Sequence, residues 1–211
     1  MIKKIFLVIA SISFGASLFV ILQLPDVVPV HWNASGQIDG YGSKWMDLIL
    51  AILPLVIYVG MGFTRKIDPK KDKIEKRADV YEWFRIFTAS IFIALNWAIL
   101  YATVYEEFNL SILICLIMGI MLIVMGNYMP RIPQNYFLGF KVPWAIENEK
   151  VWYHTQRRGG IAFVISGIIT IITGFIGNNV AYIIMLVVLL GSVLLVTVDS
   201  YFYFKKVTKN G

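Results

Sequence analysis

The sequence predicts an all-α, polytopic membrane helix bundle of about six transmembrane helices, with both termini cytoplasmic. Three observations carry this expectation. Hydrophobic residues make up 58% of the chain and charged residues only 15%. A soluble domain has roughly 45–50% and about 25% of each, so the apolar surface exceeds what one water-facing core can hide. Six apolar runs recur, each near the ~20 residues a helix needs to cross ~30 Å of hydrocarbon. Finally, placing the N-terminus inside puts all but one of the 19 basic residues on the inner side, Lys44 being the exception. That is the asymmetry of a positive-inside membrane protein.

The first run is Ile5 to Leu24, and Pro25 ends it by disfavouring helix at the residue before. It is longer than the apolar part of a secretory leader, and no small-residue cleavage site precedes Pro25, so a retained span is expected. The second run, Trp45 to Phe63, contains Pro54, which a membrane helix tolerates as a kink. The third is Ile86 to Tyr105, with Asn96 inside it and Glu106 in the loop beyond. The fourth, Leu110 to Met129, holds the single cysteine, Cys115, and stops at Pro130. One cysteine in an apolar run forms no intrachain disulfide and reads as a packing residue. The fifth, Ile161 to Ile176, meets the sixth, Ala181 to Phe204, through a tight Gly177-Asn178-Asn179 turn.

This organisation gives a two-helix unit over 1–64 with an extracellular loop. A basic cytoplasmic loop follows over 65–85, expected as a solvated stretch near anionic headgroups. A four-helix unit with a cytoplasmic loop covers 86–211. The outer loop, PDVVPVHWNASGQIDGYGSK, combines stiffening prolines with Gly36, Gly40 and Gly42, expected to allow turns of positive φ. Its candidate binding residues are His31, Trp32, Asn33, Gly36, Asp39, Tyr41 and Lys44. Two readings stand: an ordered cap over the helix ends, or a surface that meets an external ligand.

The inner loop, Pro130 to Gly160, offers Asn135, Gly139, Lys141, Pro143, Trp144 and Trp152 as candidates. Asn148 is expected to cap a helix that leads into the fifth span. On that helix Trp152, Gln156 and Gly159 share one face, with His154, Arg157 and Arg158 on others. An interfacial anchor and a docking surface are the two readings. Asp199 is the carboxylate inside an apolar run, and its cost in hydrocarbon demands a partner. Arg157 or Arg158 is expected, with Arg131 also at suitable depth.

No catalytic residues, cofactor or metal are expected. HExxH, GxSxG and phosphate-binding glycine loops are absent from the sequence. The other histidine, His154, falls on the opposite side from His31, which leaves a poor zinc set outside.

The stretch Pro29 to Asn33, Gly36, and Asp39 to Lys44 resembles a bacterial membrane domain of unknown function with a PxHWNxxGxxDGYGSK-like loop. The stretch Asn135, Gly139, Lys141, Pro143-Trp144, Asn148, Val151-Trp152 and Gly160 resembles the SdpI family, whose pattern is close to NxxxGxRTPWxxxxxxxW. Lys141 and Val142 stand where that family has Arg and Thr, which keeps the charge but loses the planar guanidinium fork. The resemblance implies a non-enzymatic immunity protein against a secreted toxic peptide. It also implies a signal transducer that sequesters a cytoplasmic ArsR-like autorepressor. A small transporter, supported by Asp199, Asn96 and Pro54, is the alternative, and a structural protein of envelope stress a third. The expected partners are membrane lipid, the toxic peptide and the repressor, with no direct contact to nucleic acid.

Overall fold

A computed structural model describes residues 2–105, 110–176 and 179–209. Glu106 and the Gly177-Asn178 part of the expected turn lie outside them. Eight α-helices and one β-hairpin are formed among the described residues. Helix α1 (Ile2–Gln23) leads into strands β1 (Val27–Trp32) and β2 (Ile38–Ser43), then α2 (Met46–Ile67), the short α3 (Lys71–Glu75) and α4 (Ala78–Val104). Helix α5 (Leu110–Tyr128) ends in a 3-10 turn at Met129–Arg131. The short α6 (Pro143–Glu147), α7 (Glu149–Gly174) and α8 (Asn179–Lys209) follow. Six of these, α1, α2, α4, α5, α7 and α8, are long and apolar enough to cross a membrane. The chain is therefore a multi-pass membrane helix bundle.

Two features differ from the sequence expectation. The outer loop is a β-hairpin, in which the β-branched Val27, Val28 and Val30 form one strand and Gly40 and Gly42 pair closely from the other. Helix α4 also begins well before its apolar run. The first turns of α4 carry Glu82 and Arg85, which pack against α2 and are hidden from water there. Asn148 does cap α7, its side chain accepting from the backbone N–H groups of Lys150 and Val151. The cap starts a single helix that runs on into the span.

Lipid rewards apolar contact between helices no more than it rewards contact with itself, so packing and hydrogen bonds must hold the bundle. The surface is apolar: Phe19, Ile49, Phe175 and Leu195 are all well exposed. The interior holds apolar side chains such as Ile21, Phe84 and Leu100 together with small and polar residues. Asn96 Nδ2 of α4 donates to Ser17 Oγ of α1 at 2.7 Å. Between α2 and α4, Tyr58 Oη donates to Glu82 Oε1 at 2.7 Å, and Arg85 Nη1 donates to Glu82 Oε2 at 2.7 Å. The Arg85 guanidinium also reaches the Tyr58 carbonyl at 2.9 Å, and Lys3 of α1 completes the cluster 3.4 Å from Glu82.

The tightest contact joins α5 to α7, running antiparallel. A Cβ on Gly160 would lie 2.5 Å from the carbonyl oxygen of Gly126, and one on Gly167 would lie 2.5 Å from that of Gly119. A Cβ on Gly174 would lie 2.6 Å from Cys115 Cβ. Glycines seven residues apart on both helices thus let two backbones touch. Cys115 takes the packing position expected of it, buried at the far end of this seam.

Gly167→Val should lower stability by about 1–3 kcal/mol through overpacking. The check is the thermal midpoint of the detergent-solubilised protein. Gly15→Val, where an added Cβ meets nothing within 4 Å, should leave that midpoint in place.

Candidate functional site

The hairpin is closed at both ends by side chains. At its base, Lys44 Nζ donates to the Leu24 carbonyl at 2.8 Å and lies 3.3 Å from Asp26. At its tip, Asn33 Oδ1 accepts from Ser35 N at 2.9 Å and Gln37 N at 3.1 Å. Gly36 alone of the three expected hairpin glycines has positive φ, at 77°. Gly40 and Gly42 serve another need. Added Cβ atoms there would sit 3.0 Å from His31 Cβ and 3.0 Å from Val30 Cγ2, so the two strands pair closely because those residues are glycine.

The hairpin lies across the helix ends. Ser35 Oγ donates to Asn179 Oδ1 of α8 at 2.7 Å, and Ser111 Oγ of α5 reaches the Ala34 carbonyl at 3.3 Å. His31 and Asp39, on facing strands, are hydrogen-bonded through Nδ1 and Oδ1 and remain exposed, as does Tyr41. Trp32 instead packs down on Ala98, Ala102 and Leu110. Beneath the hairpin a cavity of about 590 Å³ separates it from α2, α4, α5 and α8, with Trp32, Asp47, Leu50, Ile114 and Tyr182 in its wall. Asp47, one residue into α2, is 3% exposed. The sequence reading passed over Asp47, which the aspartate-bearing start of an apolar run signals.

At the other end of the bundle the 130–148 loop is built around buried amides. Asn135, fully buried, donates to the Pro133 carbonyl at 2.8 Å and accepts from Phe137 N at 2.8 Å and Leu138 N at 2.6 Å. Gln156 of α7 holds Phe140 in both directions, accepting from its N–H and donating to its carbonyl at 3.1 Å each. Gly139, with φ of 91°, bends the chain over that amide and leaves no room for a Cβ. Trp152 Nε1 donates to the Ile132 carbonyl at 2.9 Å, and Trp144 Nε1 to Ser200 Oγ of α8 at 2.8 Å. Pro143 sets the first turn of α6, where a missing N–H costs nothing. Lys141 is exposed and makes a 3.3 Å bond to the Phe137 carbonyl, beside exposed Tyr136 and Phe137.

The basic stretch after α2 is not the solvated loop expected; it is tied to this structure. Asp68, 2% exposed, accepts from Tyr136 N at 2.9 Å and Lys70 N at 2.7 Å. Lys70 Nζ donates to the Ile146 carbonyl. Lys73 Nζ bridges Gln134 Oε1 and Glu149 Oε2 at 2.9 Å each. Burial, then the neighbouring Lys73 ammonium, lowers the pKa of Lys70. The Arg65 guanidinium beside Glu75 lowers the pKa of that carboxyl. The docking pairs charges with backbone groups, an amide and one carboxylate far away in sequence, and no local pattern signals it.

Asp199 pairs with the expected Arg158 and, more closely, with His154, which the sequence does not single out. His154 Nε2 lies 2.7 Å from Asp199 Oδ2, whereas Arg158 Nε is 3.8 Å away. The imidazole is stacked on Tyr203 with centroids 3.8 Å apart. His154 is one turn nearer than Arg158 to the end of α7, level with an α8 residue that follows the same crossing, which puts it rather than Arg157 against the carboxylate. Thr155 and Ser200, the adjacent residues, hydrogen-bond at 2.6 Å and fix that crossing.

Comparison with known proteins agrees with both motifs. The SdpI/YfhL protein family matches residues 131–198, and a domain of unknown function (DUF1648) matches residues 8–57. The chain is similar to Immunity protein SdpI of Bacillus subtilis (strain 168), at 26% identity over 205 residues, 95% of this chain and 94% of that protein. No solved structure matches it. The two loop motifs fall inside the two matched segments, the relative aligns nearly end to end, and residues 131–198 are an SdpI/YfhL family segment.

Proposed function

We propose that this chain is a membrane immunity protein that acts by binding, protecting the cell that makes it from a secreted toxic peptide. The observation that carries this reading is the similarity to an immunity protein along 95% of the chain, hairpin and basic loop included. In this reading the hairpin end faces outward and both termini lie in the cytoplasm, as the basic residues favour. His31, Asp39 and Tyr41 form the exposed hairpin surface that the peptide meets, shaped from behind by Trp32, Asn33, Gly36 and Lys44. A cytoplasmic ArsR-like autorepressor docks at the basic end, on Tyr136, Phe137 and Lys141. Asn135, Gly139, Pro143, Trp144 and Trp152 hold that surface in shape. The transporter reading has less support, because Asp199 is paired with His154 and the Asn96 amide nitrogen with Ser17 on neighbouring helices.

Deleting the gene and challenging the cells with peptides secreted by the parental strain should kill them, and re-expression should rescue. Unchanged survival of the deletion strain rejects the immunity role. His31→Ala and Tyr41→Ala should lose protection at normal membrane abundance, whereas Asp199→Asn should lower thermal stability and leave protection largely intact.

Orientation has its own check. In a Cys115→Ser background, Tyr41→Cys should react with a membrane-impermeant maleimide on intact cells, and Phe137→Cys only after lysis. Lys141→Glu should release a repressor from the membrane fraction; continued co-fractionation removes that surface from the docking role.

A further inference from the structure

The cavity beneath the hairpin holds two polar atoms that the protein leaves unanswered. Asp47 Oδ2 and Trp32 Nε1 are both buried and have no hydrogen-bond partner among the described residues. One is an acceptor and the other a donor only. Buried polar groups are otherwise almost always paired, and a carboxylate out of water without a partner is especially costly. No lysine, arginine or histidine pairs with Asp47 among the described residues, while the nearby cation Lys44 is engaged with Leu24 and Asp26. The rest of the wall is mainly apolar.

The position of the cavity narrows what fills it. Asp47 is in the first turn of α2 and Trp32 in the hairpin, so the site lies where the spans end, at headgroup depth. Its wall includes Met46 and Ile49, 51% and 65% exposed on the outer, lipid-facing side of α2. A molecule that enters from the bilayer therefore brings its polar end past apolar side chains to a carboxylate and an indole N–H.

We propose that this cavity binds the headgroup of phosphatidylethanolamine. The primary ammonium donates to Asp47, a phosphate oxygen accepts from Trp32 Nε1, and the acyl chains run down past Ile49 and Ile114. An ammonium and a phosphate two carbons apart supply both missing partners on one apolar body. His31 borders both this cavity and the exposed hairpin surface, and the lipid assignment does not depend on the immunity reading.

The test uses the full chain in nanodiscs of equimolar phosphatidylethanolamine, phosphatidylcholine and phosphatidylglycerol with identical acyl chains, followed by native mass spectrometry of retained lipid. Phosphatidylcholine has the same charge but no N–H. One phosphatidylethanolamine should therefore be retained about tenfold over it, the effect of one charge-assisted hydrogen bond. Asp47→Asn should bring that ratio near unity, whereas Trp32→Phe should lower retention of both zwitterionic lipids and keep their ratio. Equal retention of the two zwitterionic lipids by the unaltered protein overturns the assignment without reference to any variant. A preference that survives Asp47→Asn, or retention that Trp32→Phe leaves undiminished, also overturns it. So does a cavity that ignores phosphatidylethanolamine but binds trileucine with a free amino terminus and not its N-acetylated form, which would mark a peptide site.

Discussion

Helix α7 crosses the bilayer with a polar face, and the bundle holds together because that face is covered. Thr155, Gln156, Ser166 and Thr170 are all buried within it, and it is the least apolar of the six long helices. In hydrocarbon each such group needs a partner or a close neighbour. The successive turns of α7 find different ones: the 130–148 loop through Trp152 and Gln156, α8 through His154 and Thr155, and α5 through Gly160, Gly167 and Gly174. A helix apolar all round would be soluble in lipid alone and would organise nothing.

The two ends of the bundle solve the same problem with different materials. The hairpin end relies on backbone pairing and short polar side chains, with one lysine at its base. The other end relies on long charged side chains that cross between segments. Asp68, Lys70 and Lys73 spend their charge on the backbone and amides of the 130–148 loop. That is why a strongly basic segment here is ordered structure rather than a solvated tether, and why its burial lowers the Lys70 pKa. The exposed groups of that end, Tyr136, Phe137 and Lys141, are carried on a frame whose polar atoms are already occupied.

Much of the fold was legible because the signals are local: length of apolar run, a proline after it, an asparagine before α7. What was not legible depends on distance in space. The hairpin was read as a turn-rich loop because Gly40 and Gly42 suggested positive φ, whereas they allow strands to approach. His154 was set aside as lying on another helical face. A helix has faces for more than one neighbour, and α8 claims that one. Glu82 and Arg85 were counted with the basic loop, since charge is read as solvent-facing until a partner such as Tyr58 is known. At the candidate sites, motif positions in the sequence do not tell which residues point outward. Trp152 and Asn135 carry motif positions and are wholly buried.

A glycine seam with steps of seven residues has a built-in ambiguity, since sliding one helix by a heptad again sets glycine against glycine. The contacts at its ends remove the ambiguity. Near one end Gly160 is also crowded by Pro130, 3.3 Å from where its Cβ would be, and at the other Gly174 abuts Cys115 rather than another glycine. Beyond the seam, Gln156 must meet Phe140 and Thr155 must meet Ser200. The seam works like a vernier: its repeating marks permit close approach, and the unique marks at either end choose the one alignment in which Gln156 and Thr155 meet their mates.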